Sequence, residues 1–196
     1  MGDGAFREAL EKFENLYTEA AEVDAFGAPF MTLATVSRQA RPTVRMVTFM
    51  GVAEDKFTFF GNERSGKGHH MASNPSVGLC FYWPQLGQQV IVEGDVVMLD
   101  EMAADKLWNS RSRSSAVMAW ISKQAEGAHS REDLDDRYHD TMTRFTDVRV
   151  PRPAHWVCYG VEPSRLQFWR SNWKMRRHRE VYLLSEDGWK HSYLDP

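Results

Sequence analysis

From Phe30 to Leu99 the chain is written almost wholly in short β-forming runs with turn residues between them. No other feature narrows the possible folds as much. FMTLATV is followed by the polar turn SRQARP. TVRMVTFMGV and KFTFFG come next, then the loop NERSGKG. SVGLCFYW and QQVIVEGDVVML are longer runs joined by the turn PQLG. Val, Ile, Phe, Tyr and Thr suit a pleated, half-buried surface, while Gly, Pro, Asn and Ser interrupt it. Only GKGHHMASNP reads as a short helix, closed by Asn74-Pro75. Strands this close together lack the long crossovers that parallel pairing needs, so an antiparallel sheet or barrel is expected.

Helical text lies on either side. Phe6, Leu10, Phe13 and Tyr17 recur at steps of three and four, one apolar stripe within Phe6–Glu22, before Gly27 and Pro29 stop it. After Leu99, Asp100 reads as the N-cap of DEMAADKLWNSR, and SSAVMAWIS and SREDLDDRYHDTMTRF are further helices. VPRPAHW is a proline-marked linker. Strand text returns as HWVCYGVEP, RLQFWRS, EVYLLS and WKHSYL. A chain of 196 residues suits one core better than two. The expected organisation is an N-terminal helix and linker over 1–28, then a single domain over 29–196. That domain is α+β, a barrel of about six to eight strands with helices outside.

Several functions are argued against. The formal charge of −3 does not suit a dedicated nucleic-acid binder. The run FWRSNWKMRRHRE holds six basic residues, yet no wider basic face accompanies it. It is a patch for a polyanion, a solvated face, or the wall of a pocket for a small anion. Cys80 and Cys158 give no disulfide framework, which fits a reducing cytoplasmic setting. No signal peptide and no membrane-spanning run is read, and no membrane partner is expected. GxSxG, GxxxxGK[ST], GxGxxG and HExxH are all missing. His69 and His70 are adjacent, diverging by about a hundred degrees on a helix, and no metal site is expected.

Anion-binding chemistry remains. NERSGKG brings Ser65, two glycines and Lys67 to a helix start, where free N–H groups suit a phosphate. It also reads as a plain surface turn. Arg45 lies inside a strand, and an arginine there must reach solvent or pair with an anion. Gln89 heads another strand and offers both a donor and an acceptor.

The sequence of motifs then carries a resemblance. MTLATV, RPTVRMV, FFGNERSGKG, NPSVGLCFYWPQLGQQVIVEG, NSRSRSSAVMAWISKQ, VPRPAHWVCYGVEP, RLQFW and GWKHSYLDP occur in the order and spacing of the pyridoxamine 5′-phosphate oxidase family, from Phe30 to Pro196. The resemblance implies an FMN-binding split β-barrel, antiparallel and Greek-key-like, with flanking helices. It implies a homodimer with its FMN sites at the interface. The implied reaction is oxidation of pyridoxine or pyridoxamine 5′-phosphate to pyridoxal 5′-phosphate, with hydride passing to FMN and O2 becoming hydrogen peroxide.

By the same resemblance, Arg45, Ser65 and Lys67 face the cofactor phosphate. Met46 and Val47 run along the flavin, Phe60 and Gly61 match a Tyr-Thr pair, and Gln89 and Gln124 bond the cofactor. Trp169 and Arg179 reach the ring system, where Arg179 would steady the anion formed on reduction. Gly61, Gly66 and Ala125 stand where threonine, arginine and serine are usual, which implies weaker FMN binding. Arg111 and Ser115 match substrate-phosphate contacts. Met50 and Leu107 replace a lysine and a tyrosine at that subsite. Met175 and Arg177 fall where an arginine and a histidine flank the substrate ring, so Arg177 with Arg179 fills the catalytic positions. A one-residue slip would bring Arg176 and His178 there instead. Three readings stand: a vitamin-phosphate oxidase with a diverged substrate site, an FMN oxidoreductase for another flat anionic heterocycle, or a binding protein without turnover.

Overall fold

The β-runs of the sequence become strands nearly residue for residue. The computed structural model describes residues 3–122, 130–170 and 179–194. Along them lie α1 (Asp3–Val23), β1 (Phe30–Val36), β2 (Pro42–Ala53), β3 (Lys56–Asn62), α2 (Gly66–Ser73), β4 (Ser76–Trp83) and β5 (Gln88–Met98). Then come α3 (Glu101–Trp108), α4 (Arg113–Ile121), α5 (Arg131–Arg144), β6 (Trp156–Arg170), β7 (Arg179–Ser185) and β8 (Gly188–Leu194). Strands pair antiparallel in the order β3-β2-β1-β4-β5-β6-β7-β8, and β3 also pairs with β6. That extra pairing closes six strands into a barrel and leaves β7 and β8 as an extension. After the β1-β2-β3 meander, α2 carries the chain back so that β4 lies beside β1, a Greek-key connection.

One expectation is corrected. HWVCYGVEP and RLQFWRS form a single strand of 15 residues. A proline inside a run argues for a break because it has no N–H for the ladder. Pro163 instead faces Gly94, where the β5–β6 register shifts. At such a bulge the missing donor is tolerated. A Cβ at Gly94 would lie 2.0 Å from the Glu162 carbonyl oxygen, so only glycine lets the strands close there.

Alternate residues fill the barrel. Met31, Leu33, Phe57, Phe59, Leu79, Phe81, Val90 and Val92 are fully buried. The α1 stripe adds Phe6, Leu10 and Phe13 to the same core. Phe13 meets Phe49, Phe57 and Phe81 edge-on, at centroid distances of 5.5, 4.8 and 4.9 Å. Around this contact Lys12 pairs with Glu180, and the Tyr182 hydroxyl donates to Glu8 and Glu180, tying α1 to β7.

A second apolar cluster lies on the opposite face of β3 and β6. Phe60, Trp156 and Cys158 pack there against Trp108, Val117 and Phe145 from the helical segment. Both faces of β3 are covered, so every residue from Phe57 to Asn62 is buried, Thr58 and Asn62 included. No helix among the described residues is long and apolar enough to cross a membrane.

Candidate functional site

Two cations converge where the inner face of β2 meets α2. Ser65 caps α2, with its hydroxyl accepting from the Gly68 N–H and donating to the Asn62 carbonyl at 2.6 Å. The Lys67 ammonium donates to the same hydroxyl at 3.2 Å. A Cβ on Gly61 would sit 3.2 Å from Lys67 Cε and 3.1 Å from the Tyr159 ring. The glycine is thus the notch that lets the lysine stem pass over β3. Burial, and then the nearby Arg45 charge, push the Lys67 pKa below the ordinary lysine range. Burial alone lowers that of Arg45.

Arg45 lies beside Lys67 with its guanidinium held from the strand side. It is half-buried, and among the described residues it meets no anionic side chain. Nη1 donates to the Leu33 carbonyl at 3.0 Å and to Thr35 Oγ1 at 2.8 Å, and Nη2 donates to Thr43 Oγ1 at 2.5 Å. Neutral oxygens hold the guanidinium, and its charge stays uncompensated among the described residues. Of its five N–H donors, the Nε–H and one on Nη2 are left for an anion. Met46 points outward and is exposed, while the Val47 side chain is in the barrel core, so only its backbone can meet a ligand.

On the other face of β3, one residue from Gly61, Phe60 borders a different group. The Arg111 guanidinium lies 5.4 Å from the Phe60 ring, 5.1 Å from Trp108 and 5.7 Å from Trp156. It donates to the Ser115 carbonyl at 3.4 Å, and its buried Nε has no hydrogen-bond partner among the described residues. Burial lowers its pKa. Met50 and Leu107 pack against the same cluster. Ser115 lies in the first turn of α4, capped by Ser112, whose hydroxyl donates to that of Ser115 at 2.9 Å. The expected substrate residues Met50, Leu107, Arg111 and Ser115 are thus brought together around one cation and an apolar wall. Burial pushes the neighbouring Cys158 thiol up to about 12, against the pull of Arg152 and Arg111.

Gln89, Trp169 and Arg179 form a separate group. They lie directly opposite one another across β5, β6 and β7, and Tyr82 extends the row on β4. Trp169 is twelve residues along β6 from Val157, the partner of Gly61. At about 3.3 Å per residue this is roughly 40 Å of strand. The row thus lies at the other end of β6 from the Gly61–Val157 pair, beside which the Lys67 stem runs. Gln124, Ala125, Met175, Arg176, Arg177 and His178 lie outside the described residues.

The sequence reading missed Thr35, Thr43, His70, Tyr159, Trp108 and Trp156. The hairpin register around SRQARP was the available signal for the threonines, since it sets Thr35 opposite Thr43. His70 was weighed only as a metal ligand. A cavity of about 560 Å³ lies between α1 and the β5–β8 end, lined by Glu8, Glu11, Lys12, Trp169, Arg170 and Glu180 among others. Three carboxylates in its wall, against Lys12 and Arg170, make it a poorer home for a phosphate than the Arg45–Lys67 pair.

The profile of the family described as pyridoxamine 5′-phosphate oxidase matches residues 19–140. A pyridoxine/pyridoxamine 5′-phosphate oxidase of Alkalilimnicola ehrlichii is 40% identical over 191 residues, covering 96% of this chain and 97% of that protein. Its counterpart in Anaeromyxobacter dehalogenans is 37% identical, covering 95% and 94%. Among solved structures, PhzG from Burkholderia lata in complex with tetrahydrophenazine-1-carboxylic acid superposes with a TM-score of 0.84 at 26% identity, covering 94% of this chain and 91% of that one. A pyridoxamine 5′-phosphate oxidase-related, FMN-binding protein from Nostoc punctiforme shares the fold, with a TM-score of 0.77 at 17% identity, covering 93% and 96%.

Proposed function

The chain belongs to the pyridoxamine 5′-phosphate oxidase family, and we propose that it is an FMN-dependent oxidoreductase working as a homodimer. The observation that carries this reading is the Arg45–Lys67 pair. Two partly buried cations are held side by side at a capped helix start, and among the described residues no carboxylate is hydrogen-bonded or ion-paired to Arg45. A guanidinium held only by neutral oxygens favours an anionic ligand, and a phosphate monoester fits the donors that Arg45 keeps. Ser65, Lys67 and Arg45 would hold the cofactor phosphate, and Met46, Val47, Phe60 and Gly61 would border the rest. When bound, FMN supplies the hydride acceptor, and its reoxidation by O2 yields hydrogen peroxide.

The separation of the two groups supports the dimer. A second copy would bring Trp169 and Arg179 to the first copy's Arg45 and Lys67. Val44, Met46 and Tyr82 are 67%, 59% and 57% exposed on the outer barrel face, apolar surface suited to such an interface. Free Cys80 and Cys158 fit a reducing compartment such as the cytoplasm.

For the substrate, the named relatives support pyridoxine or pyridoxamine 5′-phosphate. Arg111, enclosed by three aromatic rings beside Ser115, is the cation for its anionic end. A second reading is favoured by Met50 and Leu107, which leave that subsite with one cation and an apolar wall. A flat heterocycle with a single negative charge suits it better, and PhzG is bound to such a carboxylic acid. The test is anaerobic reduction of the flavin-loaded protein by pyridoxine 5′-phosphate, pyridoxamine 5′-phosphate and reduced heteroarene carboxylates. Bleaching of flavin absorbance by one class selects it. A protein that takes up no FMN removes both readings.

A further inference from the structure

The oxygens that hold Arg45 are engaged from their other side by α2. Thr35 Oγ1 lies 3.1 Å from His70 Nδ1, and Thr43 Oγ1 lies 3.3 Å from the same nitrogen. The two hydroxyls are also 3.3 Å apart. A guanidinium can only donate, so both hydroxyl oxygens accept from Arg45 and keep their own protons to give. His70 Nδ1 lies within reach of either, and accepts from them when the imidazole proton is on Nε2. With the proton on Nε2, the ring is the end of a chain running from Arg45 through Thr35 and Thr43 to His70. Thr35 is 1% exposed, so water does not stand in for the imidazole at its hydroxyl.

We propose that His70, acting through Thr35 and Thr43, is a positioning residue that sets the Arg45 guanidinium for the phosphate of bound flavin. The inference rests on the FMN reading above and adds three residues to it. His70 sits on the helix that carries Lys67 and Ser65, while Arg45 and the threonines sit on the β1–β2 hairpin. The imidazole therefore locks the two phosphate-binding elements to each other. Long cationic side chains lose substantial rotamer freedom when a ligand orders them, and a guanidinium already fixed loses less. The two cations also repel each other, and the hydroxyl chain keeps Arg45 from swinging away.

The test is titration of the full chain with FMN and with riboflavin, which lacks the phosphate. The variants are His70→Leu, His70→Asn and Thr35→Val, each checked by circular dichroism and melting temperature. Asparagine places an acceptor oxygen close to the position of Nδ1; leucine does not. His70→Leu and Thr35→Val should each weaken FMN about tenfold and leave riboflavin unchanged. His70→Asn should stay within about threefold of the parent. If His70→Leu does not fold, Thr35→Val and His70→Asn carry the test with the same expectations. Parental FMN affinity in His70→Leu or Thr35→Val, or His70→Asn as weak as leucine, overturns the positioning role and leaves the phosphate site standing. A parent protein that prefers riboflavin or binds neither flavin overturns the phosphate site and the inference together.

Discussion

β3 and β6 each have two buried faces, and the two clusters they separate are built by different rules. Inside the barrel, Phe13, Phe49, Phe57, Phe81 and their neighbours enclose no charged group. On the flank, Phe60, Trp108 and Trp156 surround the Arg111 guanidinium and cover the Cys158 thiol. Apolar packing alone explains the first. The second gives up apolar uniformity to hold a cation, and replacing a buried ion by an apolar group of similar volume is often neutral or stabilising. The difference separates a barrel interior built for stability from a flank, with half-buried Arg111, that is proposed to serve recognition.

The largest effect should come from the interior. Phe13→Ala should cost about 3–5 kcal/mol, because its ring meets three others and leaves a cavity. A denaturant midpoint unchanged from the parent would break the distinction outright. Arg111→Met should do the opposite. Stability should shift by less than about 1 kcal/mol, while binding of the anionic substrate falls by about 1.5–3 kcal/mol. If melting falls as far as in Phe13→Ala, the guanidinium is structural and the flank is simply a second core.

Lys67→Ala should weaken FMN by about 1–3 kcal/mol with the fold intact. The sign of its pH dependence follows from its lowered pKa. The ammonium that attracts phosphate is present at low pH and lost as pH rises through a pKa below the usual lysine range. FMN affinity should therefore decline at alkaline pH earlier than an ordinary lysine predicts, and riboflavin affinity should not. An equal decline for both flavins would place the titrating group elsewhere. The smallest effect concerns Cys158. It is 1% exposed with its thiol pushed up to about 12, so a thiol reagent at pH 8 should modify it only as fast as the protein unfolds. Fast native-state labelling would show that the flank opens more readily than the interior.

The site was legible to different depths. Arg45, Ser65 and Lys67 were readable because each is marked locally, by a charge inside a strand or a hydroxyl and lysine in a glycine loop. Met50, Leu107, Arg111 and Ser115 could be named by resemblance, but their convergence on Phe60 is a contact between segments some fifty residues apart. Thr35, Thr43 and His70 carry no local mark. Threonine is ordinary in a strand and histidine ordinary at the end of a helix. Pro163 misled because its tolerance depends on Gly94, a residue of another strand.

By itself the sequence determined where strands and helices run, since periodicity and turn chemistry act over a few residues. Strand ends, the α1 stripe and the caps at Ser65, Asp100 and Ser112 all follow from that range. The tertiary structure alone decided that β3 closes on β6, that both strands are covered on two faces, and that Arg45 is held by neutral hydroxyls. Those outcomes depend on register between distant segments, where a shift of one residue would turn every side chain to the other face.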